Sequence, residues 1–328
     1  MIRTVTIFAT AIAVLSLTGL MLGDQQIAVP QIAAAVFKPD ESDAVTLMIV
    51  REFRLPRIVL AAIVGAALAV AGSVSQTVMR NPLAEPGLLG INSGAALAAL
   101  LVIVFFERSD PALVSFSAFA GALGMAALIY VLSWRSGASS IRIILIGIGL
   151  SSMAGAASSF ISLFGDLTTV QSAQTWLAGS VWNANWDKVH VLAVWLLPAF
   201  IMVLLAHREL DLMSFDDMSA SGLGMRVQAA RAAMVLLCSL ISAAAVAAAG
   251  LIGFVGLIAP HIARRLTGHR HCRVLPAAAL VGASLLLGAD LVGRTVIAPA
   301  QLPAGLMIVL IGAPFFAFLL WKRRNARI

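Results

Sequence analysis

Apolar stretches recur along this chain at lengths near those a helix needs to cross roughly 30 Å of hydrocarbon, about 20 residues each. Marking these runs and the polar breaks between them predicts membrane helices near 5–23, 58–79, 88–106, 112–133, 143–164, 189–206, 274–292 and 304–321. A longer run, Ala232 to Ala263, holds 32 residues without Asp, Glu, Lys or Arg, too many for one ordinary span and few for two. Arg208, Arg226 and Arg231 precede it, and Arg264, Arg265, Arg270 and Arg273 follow it. If both flanks are cytoplasmic, as the positive-inside rule suggests, the run enters and returns. Gly250, Gly253 and Gly256 supply flexible backbone for the reversal, and a short helix containing Pro260 returns. The expected fold is therefore all-α: a polytopic membrane protein of about ten transmembrane helices, both termini cytoplasmic, forming one domain over residues 1–328.

Charge tests that arrangement. The inferred inner side takes 15 of the 22 basic residues, and the acidic residues run the other way, with 10 of 15 outside. The chain is 61% hydrophobic and 11% charged, against about 25% charged in an average soluble domain, so lipid is its solvent. A net charge of +7 invites a nucleic-acid reading, but these charges sit in short loops between apolar runs. Met1 to Gly23 admits a cleaved signal peptide. No small-x-small site follows near Asp24, which favours a retained helix. Cys238 and Cys272 are too few for a disulfide framework.

On the outer side, Asp24 to Leu55 reads as an irregular segment, and Gln171 to Val181 as a short interfacial helix with Trp176 and Trp182 at headgroup level. No Asp, Glu or Lys falls in the middle of a span, so the charge relay of an ion-coupled carrier is missing. None of the lysines follows a glycine in a phosphate-cradling loop, so any ATP is handled elsewhere. His261, His269, His271 and Cys272 raise a metal site, but interleaved arginines repel a cation and no metal is expected. Small residues such as Gly65, Ala69, Gly72, Gly121, Gly124 and Ala127 predict close helix packing.

Three stretches are more specific. The first runs from Arg54-Leu-Pro-Arg57 through Gly65, Gly72 and Gln76 to Arg80-Asn-Pro-Leu-Ala-Glu-Pro-Gly-Leu-Leu-Gly90. The second is Gly253-Phe-Val-Gly-Leu-Ile-Ala-Pro-His-Ile-Ala-Arg264, continuing to Ala289-Asp290, and the third is Leu302-Pro-Ala-Gly305 with Gly312-Ala-Pro-Phe315. In content, order and spacing these resemble the permease subunits of binding-protein-dependent ABC importers for iron-siderophore complexes and vitamin B12.

That resemblance implies a cytoplasmic coupling loop, about 207–230, that seats in a separate ATPase subunit. Its matching residues are Asp216, Asp217, Ala220, Leu223, Gly224 and Met225. It implies docking of a periplasmic binding protein by the outward-facing Arg54, Arg57 and Arg294, for which snorkelling at helix ends is the simpler alternative. It implies an inner gate at Asn81 and Leu83 with Ser139, Ser140 and Ile141, and a path between two permease copies or a copy and a paralogue. The expected function is a transport subunit of the bacterial cytoplasmic membrane, itself no enzyme, with ATP and Mg on the partner ATPase. Ferric siderophore is the favoured cargo, ahead of haem and cobalamin. A secondary carrier, a membrane-embedded enzyme and a structural scaffold are the rivals.

Overall fold

The computed structural model describes residues 2–23, 25–106, 110–134 and 137–325. Asp24, Glu107, Arg108, Arg135 and Arg327, which enter the loop-charge count, lie outside them. Below, the two ends of the bundle are called inner and outer as the loop charges assign them. In chain order the helices are α1 (Ile2–Met21), α2 (Val29–Phe37), α3 (Ala44–Met48), α4 (Leu55–Val78), α5 (Ile91–Phe105), α6 (Pro111–Ser133), α7 (Ser140–Ser162), α8 (Leu167–Leu177), α9 (Trp186–Leu205), α10 (His207–Met213), α11 (Asp217–Gly222), α12 (Val227–Ala249), α13 (Val255–Thr267), α14 (His271–Thr295) and α15 (Ala304–Asn325).

Seven helical stretches among the described residues are long and apolar enough to cross a bilayer: α1, Ala44–Val78, α6, α7, α9, α12 and α14. Shorter apolar helices are α5 and, within α15, Ala304–Phe318. The long apolar run does divide. Gly250, at φ +72°, ends α12, Phe254 takes the left-handed region at φ +65°, and the 13-residue α13 follows. Of the three glycines expected to supply this reversal, Gly256 instead lies inside α13, pressed against α4.

The outer segment expected to be irregular is largely helical. Asp43 accepts from Thr46 N at 3.1 Å and starts α3, the Ala28 N–H donates to the Gln31 side chain at 3.0 Å before α2, and a π-helical turn at Ile49–Arg54 runs into α4. Ile27, Ile32, Ala35 and Val50 bury together there as a small separate core. Polar composition disguises the segment, because its helices are short and each buries only a few side chains. A helix is present near the expected Gln171–Val181 but runs four residues earlier as α8, starting at Leu167 because Asp166 caps it through Thr169 N at 2.8 Å.

Helix α4 is the axis of the molecule. It is buried along most of its length and packs against α12, α13 and α14. Two glycine crossings permit this approach: a Cβ on Gly72 would overlap the Gly256 carbonyl, and one on Gly65 the Gly282 carbonyl. In lipid, where van der Waals packing holds helices together, such close crossings are the main source of cohesion. Gly94 and Gly121 bring α5 and α6 together in the same way, whereas Gly124 faces open space.

Gly72→Ala is therefore expected to force α13 off α4 and destabilise the bundle by about 1–3 kcal/mol, the usual range for overpacking. Gly124→Ala is the matched control. Thermal unfolding of purified protein should show a lower Tm for the first and an unchanged Tm for the second.

Candidate functional site

Two polar junctions break the apolar interior, one at each end of α4. At the outer end, Arg57 opens the helix and grips Asp290 of α14 with two nitrogens, Nε to Oδ2 at 2.9 Å and Nη2 to Oδ1 at 2.8 Å. Its third nitrogen donates to Gln301 Oε1 at 2.8 Å. Arg54 donates to the carbonyls of Leu20, Met21 and Gln25, and Arg294 donates to the Gly19 carbonyl at 2.6 Å. Gly19 and Gly23 leave the room these guanidiniums occupy. All three arginines lie at the outer end and are 6–8% exposed. Guanidiniums near the end of a bundle satisfy orphaned helix carbonyls of α1, which the sequence pattern alone does not reveal. Together they still wall a cavity of about 350 Å³, beside Phe53, Trp182 and Gln301.

At the inner end, α10 and α11 form a helix–turn–helix elbow. Asp216 caps α11 through Ser219 N at 3.0 Å, and Gly224, at φ +86°, turns the chain out of it. Hydrogen bonds from Ser219 hold the Asp216 carboxyl below its ordinary range. Ala220 is buried, and Met225 N donates back to its carbonyl at 3.1 Å. Phe215, Met218 and Leu223 stand exposed at 54%, 86% and 62%, an apolar face left largely uncovered by the described residues.

Asp217 ties this elbow to the bundle. It receives Arg80, which follows α4, and Arg231 Nη2 of α12 at 2.8 Å. Arg231, fully buried, also donates to the Ala138 carbonyl. Partial burial pushes the Asp217 carboxyl up, but the bonds and charges of Arg231 and Arg80 outweigh this and hold it below the usual carboxylate range. Asn81 directly follows Arg80, and Ser139 directly follows Ala138. The two segments expected to form a gate are thus held by a single carboxylate of the elbow. They also touch each other, since Ser140 Oγ donates to the Val78 carbonyl at 2.9 Å. Within them, Asn81 Oδ1 accepts from Leu83 N at 3.0 Å, Ser139 caps α7, and Ile141 is 71% exposed.

Sequence reasoning assigns no role to Arg80, Arg231 or Asp211. Asp211 on α10 accepts from His271 N at 2.8 Å and meets its Nδ1 at 2.6 Å, while His271 Nε2 lies 2.8 Å from Thr77 Oγ1. Both ring nitrogens of His271 are thereby engaged. Among the described residues no three His, Cys, Asp or Glu side chains assemble as metal ligands.

Repeated apolar helices around a buried axis, with an elbow tied to two loop segments at one end, define a multi-pass membrane protein. The profile of the FecCD transport family matches residues 11–322, and the chain belongs to that family. It is 42% identical over 282 residues to the iron(3+)-hydroxamate import system permease protein of Bacillus subtilis, covering 84% of each chain. It is 41% identical over 278 residues to the hemin transport system permease protein of Yersinia pestis, covering 84% of this chain and 83% of that one. A solved structure described as a metal-chelate type ABC transporter in an inward-facing conformation superposes with a TM-score of 0.89 at 32% identity, over 98% of this chain and all of that one.

Arg57→Ala strands the Asp290 carboxylate. Breaking such a buried pair costs about 3–5 kcal/mol, so a clear fall in Tm is expected, partly restored when Asp290→Asn is added. Asp217→Asn should loosen the elbow by about 1 kcal/mol, the scale of a part-exposed ion pair. Backbone hydrogen exchange in 207–230 is then expected to rise several-fold while that of α4 stays unchanged. Acidification should do the same in the wild type. The folded carboxyl titrates below its unfolded value, so the tether is complete above the ordinary carboxylate range and fades as pH falls through the lowered one.

Proposed function

We propose that this chain is the membrane-spanning subunit of a binding-protein-dependent, ATP-driven importer of ferric siderophores. Counting α5, α13 and α15 with the seven longer stretches makes about ten crossings, with both termini on the cytoplasmic side of a bacterial inner membrane. The observation that carries the mechanism is the Asp217 junction. An ATPase subunit seats on Phe215, Met218 and Leu223, and its movement on binding and hydrolysing ATP with Mg displaces α11. Through Arg80 and Arg231 that displacement reaches Asn81 and Leu83 on one side and Ser139, Ser140 and Ile141 on the other. These segments close the path inside. Hydrolysis belongs to the partner chain, and this chain contributes a switch of access between two sides.

Two permease copies, or this chain and a paralogue, enclose the path, in keeping with a paired motor. At the outer end, the cavity walled by Arg54, Arg57 and Arg294 offers acidic side chains of a substrate-binding protein a cationic seat. Arg57 is closed there by Asp290, while Arg294 donates to the Gly19 carbonyl, a neutral partner. Haem is the second reading, favoured by the hemin permease at 41% identity, nearly that of the hydroxamate permease.

Reconstitution with its ATPase and binding protein tests the assignment, with ferric siderophores, haem and cobalamin offered in parallel. ATP-dependent siderophore uptake that falls at least tenfold in Asp217→Ala is the expected result. Accumulation of haem or cobalamin alone would overturn the cargo, and uptake driven by an ion gradient without ATP would overturn the class.

A further inference from the structure

A cavity of about 510 Å³ opens at the inner end of α4, between that helix, α13 and the turn into α14. Its wall holds Arg80, Arg264, Arg265, His261, His269 and His271, and no carboxylate lines it. Of its three guanidiniums, Arg264 and Arg265 meet no carboxylate among the described residues. Arg80 is neutralised by Asp217, and the His271 ring is engaged by Asp211 and Thr77. Arg264 donates to the neutral amide oxygen of Gln76, and the His261 ring stands edge-on to Phe315 at 6.0 Å between centroids. Arg265 and His269 are exposed at the rim and form no hydrogen bond or ion pair among the described residues.

Among the described residues, Arg264 and the rim residue Arg265 therefore border one cavity without a counter-charge. The C-terminus of α13, where Arg264 and Arg265 sit in the last turn, favours cations and explains part of their placement. It does not explain why Arg264 turns back toward α4 to line a cavity that also holds the Asn81 side-chain amide. Guanidiniums beside an amide donor suit a tetrahedral oxyanion, since the planar fork offers paired N–H groups to two of its oxygens. Basic pockets between helices at the cytoplasmic face of a membrane protein meet anionic headgroups. The volume exceeds what a bare ion fills and suits a phosphate with its substituents or waters.

We propose that this cavity binds a phosphate group, carried by an anionic phospholipid or free in the cytoplasm. The bound group would bridge α4, α13 and the end of α10 at Ser214, beside the Arg80–Asp217 junction. The site is independent of the cargo assigned above, so its failure leaves that assignment standing.

The full-length chain can be tested in two arms. In neutral detergent, thermal unfolding is followed against inorganic phosphate, with chloride at equal ionic strength as reference. In nanodiscs of phosphatidylcholine with or without phosphatidylglycerol, retained lipid is counted by native mass spectrometry. The paired variant Arg265→Gln, His269→Gln changes only exposed, unpartnered side chains, and Arg273→Gln alters a basic residue outside the cavity. Binding in either arm that weakens about tenfold in the paired variant and persists in Arg273→Gln supports the site. The phosphate arm alone would identify a free anion, and the lipid arm alone a headgroup. Binding in neither arm, or equal loss in the paired and Arg273→Gln variants, would overturn it.

Discussion

A charge that enters hydrocarbon must find its partner inside the protein, because no water is there to receive it. Helix α4 meets that constraint at both ends. Outside, Arg57 is closed by Asp290 and Gln301; inside, Gln76 takes the Arg264 guanidinium while its amide reaches the carbonyls of Gly256 and Leu257 at 3.3 and 3.4 Å. Between these anchors α4 meets α13 and α14 through glycines and presents almost no polar atoms. The polar bonds fix where α4 sits along its axis. The glycine crossings fix how near its neighbours come.

That division bears on transmission of movement. Close-packed interiors have little compressibility, so a helix pinned at its ends shifts as a body and does not absorb displacement locally. The elbow is tied to Arg80, one residue beyond the C-cap of α4, through Asp217, and to Ala138, one residue before the N-cap of α7, through Arg231. Asp211 adds a third attachment at the start of α14. Each tether ends at a helix terminus, where a small displacement moves a whole rod.

The bundle was largely legible in the sequence because long apolar runs report the solvent directly, and the division of Ala232–Ala263 followed from arginines on both flanks. The outer helices α2 and α3 were not, since nine and five residues bury too little apolar surface to leave a periodic signal. For the site, segment positions were readable from motifs while the bonds between them were not. Asp217 could be placed in the elbow, but its partners Arg80 and Arg231 lie 137 and 14 residues away, and nothing in spacing joins them. The outer arginines show the same limit: their place at the outer end was readable from the sequence, whereas their bonds to carbonyls at the end of α1 and to Asp290 were not.

The break between α12 and α13 raises a further cost that the structure answers. Ending a helix and starting another inside an apolar bundle exposes carbonyls at one terminus and N–H groups at the other, which lipid cannot satisfy. Ser180 N donates to the Ala249 carbonyl at 2.7 Å, so the stretch after α8 closes the first end. At the second, the Phe254 N–H donates to Glu85 Oε2 at 3.4 Å, a long bond aided by the positive end of α13. Glu85 lies two residues beyond Leu83, in the same turn that Arg80 connects to the elbow. The carboxyl group that meets the start of the second helix is therefore carried by the same turn that Arg80 ties to the elbow, so the position of that turn and the start of α13 are linked.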